Sequence, residues 1–333
     1  NSFFKKKELK YFKDIKIKIL KEKKKSGTLG SIINAKKFLK KTFFVVNGDT
    51  FFDFNIRDLE NNVLKFKKYI GIALTKIKSS DSKISYELKF NKFKNVFISK
   101  RKIKYVCGGL YFLKKQIINK FKLEELDIDR NLILKSKKKI FAKYYRNNFL
   151  DIGTPKDLKK SGSFIKKNII KPCVFLDRDG VFNYDYGYVH KPVHTKWRKN
   201  IFNTVKFLND NNYRVIIVTN QAGIAKGLYT IKSFKKYTRW FHNEFLKTGS
   251  FIDQTYYCPY HPHGKIKIFK KKSNQRKPGN GMILDALRNW EIDKKNSFLI
   301  GDKLSDLKAG EKSGIRSYFV KKDIYLQVKR LIK

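Results

Sequence analysis

Short apolar runs that stop at glycine, asparagine or aspartate recur along this chain, and they fall into two series. In the first, TFFVVNGDTFFDF (42–54), YIGIALTKI (69–77), YVCGGLYFL (105–113) and FAKYYRNNFLDIG (141–153) are rich in β-branched and aromatic residues and read as strands. Helical stretches lie between them, one of them around Ala35 to Lys40. The second series starts beyond Pro172: strand CVFLD, helix near Ile201 to Asn211, strand YRVIIVTN, helix near Ile231 to Leu246, strand QTYYC, helix near Met282 to Trp290, strand SFLIGD, then SYFV. The polar stretch SGSFIKKNIIKP separates the two, which predicts one unit over 1–160, a linker over 161–171 and a second unit over 172–333. Neither an internal repeat nor a heptad seam is present. Alternating strands and helices predict two Rossmann-like α/β units with mainly parallel sheets, and in such sheets chemistry gathers beyond the carboxyl ends of the strands.

Composition narrows the class. A chain of 333 residues can bury two cores. No apolar stretch reaches the roughly 18 residues of a membrane span, so a membrane partner is not expected. The opening NSFFKKKELKYFKDIKIK lacks the apolar core of a secretory leader, which predicts a cytoplasmic protein, and its first residue, Asn1, suggests a start downstream of the natural one. Cys107, Cys173 and Cys258 are far apart and odd in number, so no disulfide framework is expected. Lys plus Arg number 78 against 28 Asp plus Glu, a net charge of +50. The excess is mostly lysine scattered through both halves, which reads as solvated faces. Nucleic acid is therefore not an expected partner, whereas a phosphorylated substrate would be attracted.

Four strand or helix ends of the second half carry polar groups in order: Asp177-Arg178-Asp179-Gly180, Thr219-Asn220-Gln221, Arg276-Lys277-Pro278, and Gly301-Asp302-Lys303 with Ser305-Asp306. One acidic pair beside a glycine reads equally well as a solvated loop; four such sets at separate ends do not. Together with FLDRDGVFNYDYGYVH, VTNQAGIAKG, YYCPYHP and IGDKLSDL, they resemble the haloacid-dehalogenase superfamily, in its heptose-bisphosphate and histidinol-phosphate phosphatase branch, over residues 171 to 325. The resemblance implies an Mg²⁺-dependent phosphomonoester hydrolase acting on a phosphorylated sugar. It makes Asp177 the nucleophile, Asp179 the acid and base, Thr219 and Lys277 the phosphoryl holders, and Asp177, Asp179 and Asp302 the metal ligands. It places Asn220, Gln221, Arg276, Tyr188 and His190 around the substrate, with Arg276 on a distal phosphate. Zinc is not expected, because the thiolates that relatives use are reduced here to Cys258, accompanied by His261 and His263. Rival substrates are histidinol phosphate or another small phosphomonoester, and a nucleic-acid 3′-phosphate; a binding protein without turnover is the rival class.

The first half has its own resemblance. GTLGSIINA, FFVVNGDTFFDFNIRDL, VCGGLYFLKK and FLDIGTPKDL are similar to sugar-1-phosphate nucleotidyltransferases of the heptose guanylyltransferase type. That implies a vestigial metal site at Asp49 and Asp151, with Gly27, Thr28 and Gly30 beside a nucleotide and Gly108 and Gly109 beside a sugar. The glycine-rich loop ending in Thr-Arg and the Pro-Lys-Pro turn of such enzymes are absent from this sequence, so no nucleotide transfer is expected.

Overall fold

The computed structural model describes residues 16–22, 24–78, 83–89, 92–99 and 103–332, so most of the opening segment read above for a leader lies outside the described residues. In the first unit, helix α1 (Gly27–Asn34) precedes strands β1 (Thr42–Val46) and β2 (Thr50–Phe52), helix α2 (Ile56–Lys65), strands β3 (Ile70–Lys78), β4 (Lys83–Lys89), β5 (Lys92–Ser99), β6 (Ile103–Lys114), β7 (Ile140–Tyr144) and β8 (Phe149–Asp151), and helix α3 (Pro155–Ile169). The main sheet has the order β1-β6-β3-β7. It is mixed where a mainly parallel sheet was expected: β6 runs antiparallel to both neighbours, and β3 with β7 is the parallel pair. Ile70, Ile72 and Leu74 of β3 face one core with Leu113 and Ile140, while Ala73 faces the other with Leu59, Val63 and Phe112. Both faces of this sheet are thereby covered.

Two expectations shift. The first helix lies over 27–34, because Leu29, Ile32 and Ile33 recur at helical spacing and are buried. The stretch Ala35 to Lys40 is reduced to a single 3₁₀ turn at Lys36–Phe38. The joint also differs from a polar loop. The Thr154 side chain accepts from Asp157 N, Pro155 occupies the first turn, and the helix so started runs through the expected linker to Ile169.

The second unit continues with β9 (Cys173–Leu176), α4 (Ile201–Asp210), β10 (Arg214–Asn220), α5 (Ala222–Ala225), α6 (Ile231–Leu246), β11 (Gln254–Cys258), α7 (Gly281–Asn289), β12 (Phe298–Gly301), α8 (Leu304–Lys312), β13 (Arg316–Phe319) and α9 (Ile324–Leu331). Its sheet, β11-β10-β9-β12-β13, is parallel throughout. The central β9 is buried along its length: Val174 and Leu176 pack with Val205, Phe241 and Val328, and Cys173 and Phe175 with Met282, Ile283 and Ala309. From β9 the chain winds outward through β10 and β11 on one side and β12 and β13 on the other. The order therefore switches at β9, where a crevice opens beyond the carboxyl ends of the strands. Among the described residues, no helix is long and apolar enough to cross a membrane.

Candidate active site

Asp177 follows directly on β9, and its N–H donates to Ile300 O at 3.1 Å, which extends the ladder by one residue and fixes the backbone at the crevice. Lys277 reaches the same point from the other side. It is 4% exposed, and its Nζ lies 2.8 Å from Asp177 Oδ1, 2.6 Å from Asp306 Oδ1 and 2.8 Å from Val218 O, so its three N–H groups each have an acceptor. Carboxylate oxygens of Asp177, Asp302 and Asp306 lie within 4.8 Å of one another. The chain passes close at Gly180, where φ is +90° and a Cβ would fall 2.3 Å from Asp302 Oδ2, so only glycine leaves room for that carboxylate.

Lys277 does not balance the buried Asp177 and Asp306, and the half-buried Asp302 beside them meets the exposed Lys303 at 3.9 Å. Burial pushes Asp177 up to about 7 against the pull of Lys277, with the Asp306 and Asp179 charges adding to the rise. Burial also raises Asp302, whose Oδ1 is buried with no hydrogen-bond partner among the described residues. Lys277 is held above its ordinary range: burial opposes its charge, and Asp177 and Asp306 outweigh that. An all-oxygen donor set with an unsatisfied oxygen suits a hard divalent cation such as Mg²⁺.

Asp179 behaves differently from expectation. β9 ends at Leu176 and the chain turns at Gly180, so the two-residue alternation that would aim Asp179 beside Asp177 no longer applies. Its carboxylate accepts from Arg178 Nε at 3.1 Å, Arg178 Nη2 at 2.8 Å, Asn183 Nδ2 at 3.1 Å and Gln221 Nε2 at 3.3 Å. The third place in the carboxylate group goes to Asp306, which sequence reasoning quoted without assigning. Its signal was the spacing Asp302 to Asp306, which puts it in the first turn of α8, where Oδ2 also accepts from Lys303 N at 2.9 Å.

The strand-end amides brace the site. Asn220 Nδ2 donates to Lys277 O and its Oδ1 accepts from Lys277 N, both at 3.0 Å, so this amide holds the backbone of the lysine. Gln221, 1% exposed, donates to Thr219 Oγ1 at 2.8 Å and accepts from Tyr229 Oη at 2.6 Å. A cavity of about 590 Å³ opens over Asp177, Asp179, Thr219 and Lys277, with Arg276 and Tyr188 in its wall. Tyr229, not singled out from sequence, lines it too, as do Lys226, His261 and Lys303, which the sequence motifs include without a substrate role. Tyr188 Oη accepts from Lys226 Nζ at 2.5 Å, and Lys303 Nζ lies 2.9 Å from Asp185 Oδ2. His190 stands behind this wall: its ring stacks on Tyr229 at 4.5 Å between centroids, and its Nδ1 is 2.7 Å from Tyr188 O. Cys258 is buried, which raises its thiol, and its Sγ lies 3.8 Å from Tyr260 O.

In the first unit, β2 pairs with β8 so that Thr50 faces Asp151, and Ile152 N donates to Asp49 O at 2.7 Å, which brings both expected aspartates to one end of a two-stranded ribbon. Gly27, Thr28 and Asp49 share a groove of about 770 Å³ whose described lining residues include Glu22. Gly30 faces the Glu124 backbone, where a Cβ would lie 2.5 Å from the carbonyl oxygen, so it serves packing. Gly109 has φ +72°, and Asn47 N donates to its carbonyl at 2.8 Å.

A family model described as HAD-hydrolase-like matches residues 274–330. A D-glycero-beta-D-manno-heptose-1,7-bisphosphate 7-phosphatase of Rhodopseudomonas palustris is 37% identical over 163 residues, 49% of this chain and 91% of that one. A D-glycero-alpha-D-manno-heptose-1,7-bisphosphate 7-phosphatase of Photorhabdus laumondii is 40% identical over 158 residues, 47% of this chain and 86% of that one. Among solved structures, HddC from Yersinia pseudotuberculosis complexed with GMP-PN aligns at 22% identity and a TM-score of 0.40, over 47% of this chain and 72% of that one.

Proposed function

The chain belongs to the family of D-glycero-D-manno-heptose-1,7-bisphosphate 7-phosphatases, and from that premise we propose that its second unit removes the 7-phosphate of such a bisphosphate through an aspartyl-phosphate. A carboxylate oxygen of Asp177 attacks phosphorus in line, an Asp177 O–P bond forms, and the bond from phosphorus to the sugar O7 breaks. Asp179, which lines the same cavity, would part from Arg178 and give a proton to O7. It then takes a proton from a water that attacks the same phosphorus, which breaks the Asp177 O–P bond, releases inorganic phosphate and restores Asp177. Thr219 donates to a transferring oxygen, and Lys277 offsets its charge. Asp177, Asp302 and Asp306 would hold Mg²⁺, which when bound would offset the negative charge of the nucleophile and the phosphate.

The observation that carries this reading is the surplus of carboxylate around Lys277, with Asp302 Oδ1 left without a hydrogen-bond partner among the described residues. The cavity wall favours the bisphosphate over histidinol phosphate. Lys226, Arg276 and Lys303 line it, and a distal phosphate would meet them favourably where an amine and an imidazole would not. For the first unit, the supported reading is a nucleotidyltransferase-like body without nucleotide transfer, since Glu22 and Asp49, among the described lining residues of the groove, would repel a triphosphate.

One set of assays tests both. Phosphate release should be fastest from heptose 1,7-bisphosphate, slower from histidinol phosphate and from 3′-phosphorylated DNA, abolished by a chelator and restored by Mg²⁺. GTP with heptose 1-phosphate should give no GDP-sugar. Release that survives chelation, or that is faster with histidinol phosphate, would overturn the assignment.

A further inference from the structure

A second buried charged cluster lies far from the cavity and has no part in the chemistry above. Asp58, in the first turn of α2, is 1% exposed. It accepts from Lys143 Nζ at 2.7 Å and Tyr145 Oη at 2.9 Å, both in the first unit, and from Lys206 Nζ at 2.5 Å, on α4 of the second. Further bonds cross beside it. Asn55 Nδ2 donates to Asp210 Oδ1 at 2.8 Å and to Gly249 O at 2.9 Å, Lys171 Nζ to Asp53 Oδ1 at 2.6 Å, and Asn147 Nδ2 to Asn212 Oδ1 at 3.1 Å. The approach is close enough that a Cβ on Gly249, where φ is +75°, would lie 3.0 Å from the Asn61 Cβ.

The position of these contacts on the sheet is informative. Lys171, Asp210 with Asn212, and Gly249 lie just ahead of β9, β10 and β11 respectively. In a parallel sheet those are the amino ends, so the first unit sits on the face opposite Asp177. Units joined by a short connection ordinarily move against each other unless their interface resists it. Exposed ion pairs would exchange with water at little loss. Asp58 cannot do so: a carboxylate held out of water draws lysines from both units, and parting them leaves it short of a partner.

We propose that the two units are docked as one cooperative body keyed at Asp58, with the first unit a fixed partner for the amino-terminal face of the second unit's sheet and the cavity mouth left free. Scanning calorimetry of the full chain should then give one transition. Lys206→Met removes the lysine that crosses the joint and leaves Lys143 and Tyr145 on Asp58. It should split the melt in two, with turnover below the first transition within about twofold of the wild type. Lys143→Met acts inside the first unit and should lower the melt without splitting it. Lys171→Met, which takes a separate crossing pair, should bring the melt closer to splitting if Lys206→Met does not fold. Two independent transitions in the wild type, or an unchanged melt in both crossing variants, would overturn the docking.

Discussion

Aspartate and lysine meet at two places in this chain, in different proportions. At the joint, Asp58 lies between two lysines whose side chains are 34% and 29% exposed, and Lys206 also pairs with Asp210 at 2.8 Å, so two carboxylates meet two lysines. Beyond the strand ends, Asp177 and Asp306 share one lysine whose side chain is 2% exposed, so the enclosed charge is negative, and the partly exposed Asp302 beside them meets the exposed Lys303 at 3.9 Å. Burial tends to raise both groups. At Asp58 the pull of Lys143 and Lys206 outweighs it and holds the carboxyl below its ordinary range, whereas Asp177 is left at about 7. Burial of an aspartate therefore does not mark a reactive site. What marks it is negative charge that the surrounding protein leaves unbalanced, which a metal and a phosphoryl group can complete.

The strongest way to break this contrast is to remove one carboxylate from each cluster. Asp177→Asn is expected to reduce phosphate release by at least about 10³-fold, as loss of a covalent nucleophile does. Without metal, the same change should leave the melting temperature equal or higher, because it relieves an enclosed excess of charge. Asp58→Asn should do the reverse, with turnover kept and the melt lowered by about 5 °C or more, since it takes the carboxylate from Lys143 and leaves Lys206 with Asp210. Turnover by Asp177→Asn near the wild-type rate would remove the nucleophile from the scheme.

pH sharpens the contrast at smaller amplitude. In chelator, Asp177 has a folded pKa of about 7, above its ordinary value, so its contribution to stability is present in acid and is lost as pH rises through 7. The gain of Asp177→Asn over wild type should be largest near pH 8 and vanish towards about pH 4. Asp58 is shifted downward, so its contribution is present above the ordinary carboxylate range and is lost as pH falls below it. The deficit of Asp58→Asn should be constant from about pH 5 to 8 and shrink in stronger acid. Thermal melts of the three proteins across this range check both slopes, and parallel slopes would mean that the clusters do not differ in kind.

These two places also differ in how far the sequence discloses them. Asp177, Thr219, Lys277 and Asp302 each follow a short apolar run or open a turn, and a parallel sheet brings such ends together whatever the loops do. The aim of Asp179 was not legible, because it depends on the turn at Gly180 and on a partner, Arg178, that could as well have faced solvent. Asp58 was hidden more completely. In IRDLENNVLK it reads as an acidic residue near the start of an amphipathic helix, and its burial comes from Lys143 and Lys206, which lie 85 and 148 residues away in sequence. The joint carried a local signal, Thr154, Pro155 and Asp157 as a helix start, but the polar stretch after it masked the helix.

The smallest expected effect concerns Asn220, where the sequence suggested a substrate contact and the structure turns both ends of the amide to the Lys277 backbone at 3.0 Å. Asn220→Ala removes that brace while Asp177, Asp306 and Val218 O still hold the ammonium group. A lysine so loosened should serve the transition state less well than the bound substrate. kcat should fall by about tenfold with KM within about threefold, and Asn220→Asp should rescue little, because it can no longer donate to Lys277 O. A substrate contact predicts the other division, with KM raised and kcat kept. Measured at saturating Mg²⁺, that split separates an amide that positions the cation from one that binds the sugar. A raised KM alone would mean that the three contacts of the ammonium group suffice to place Lys277.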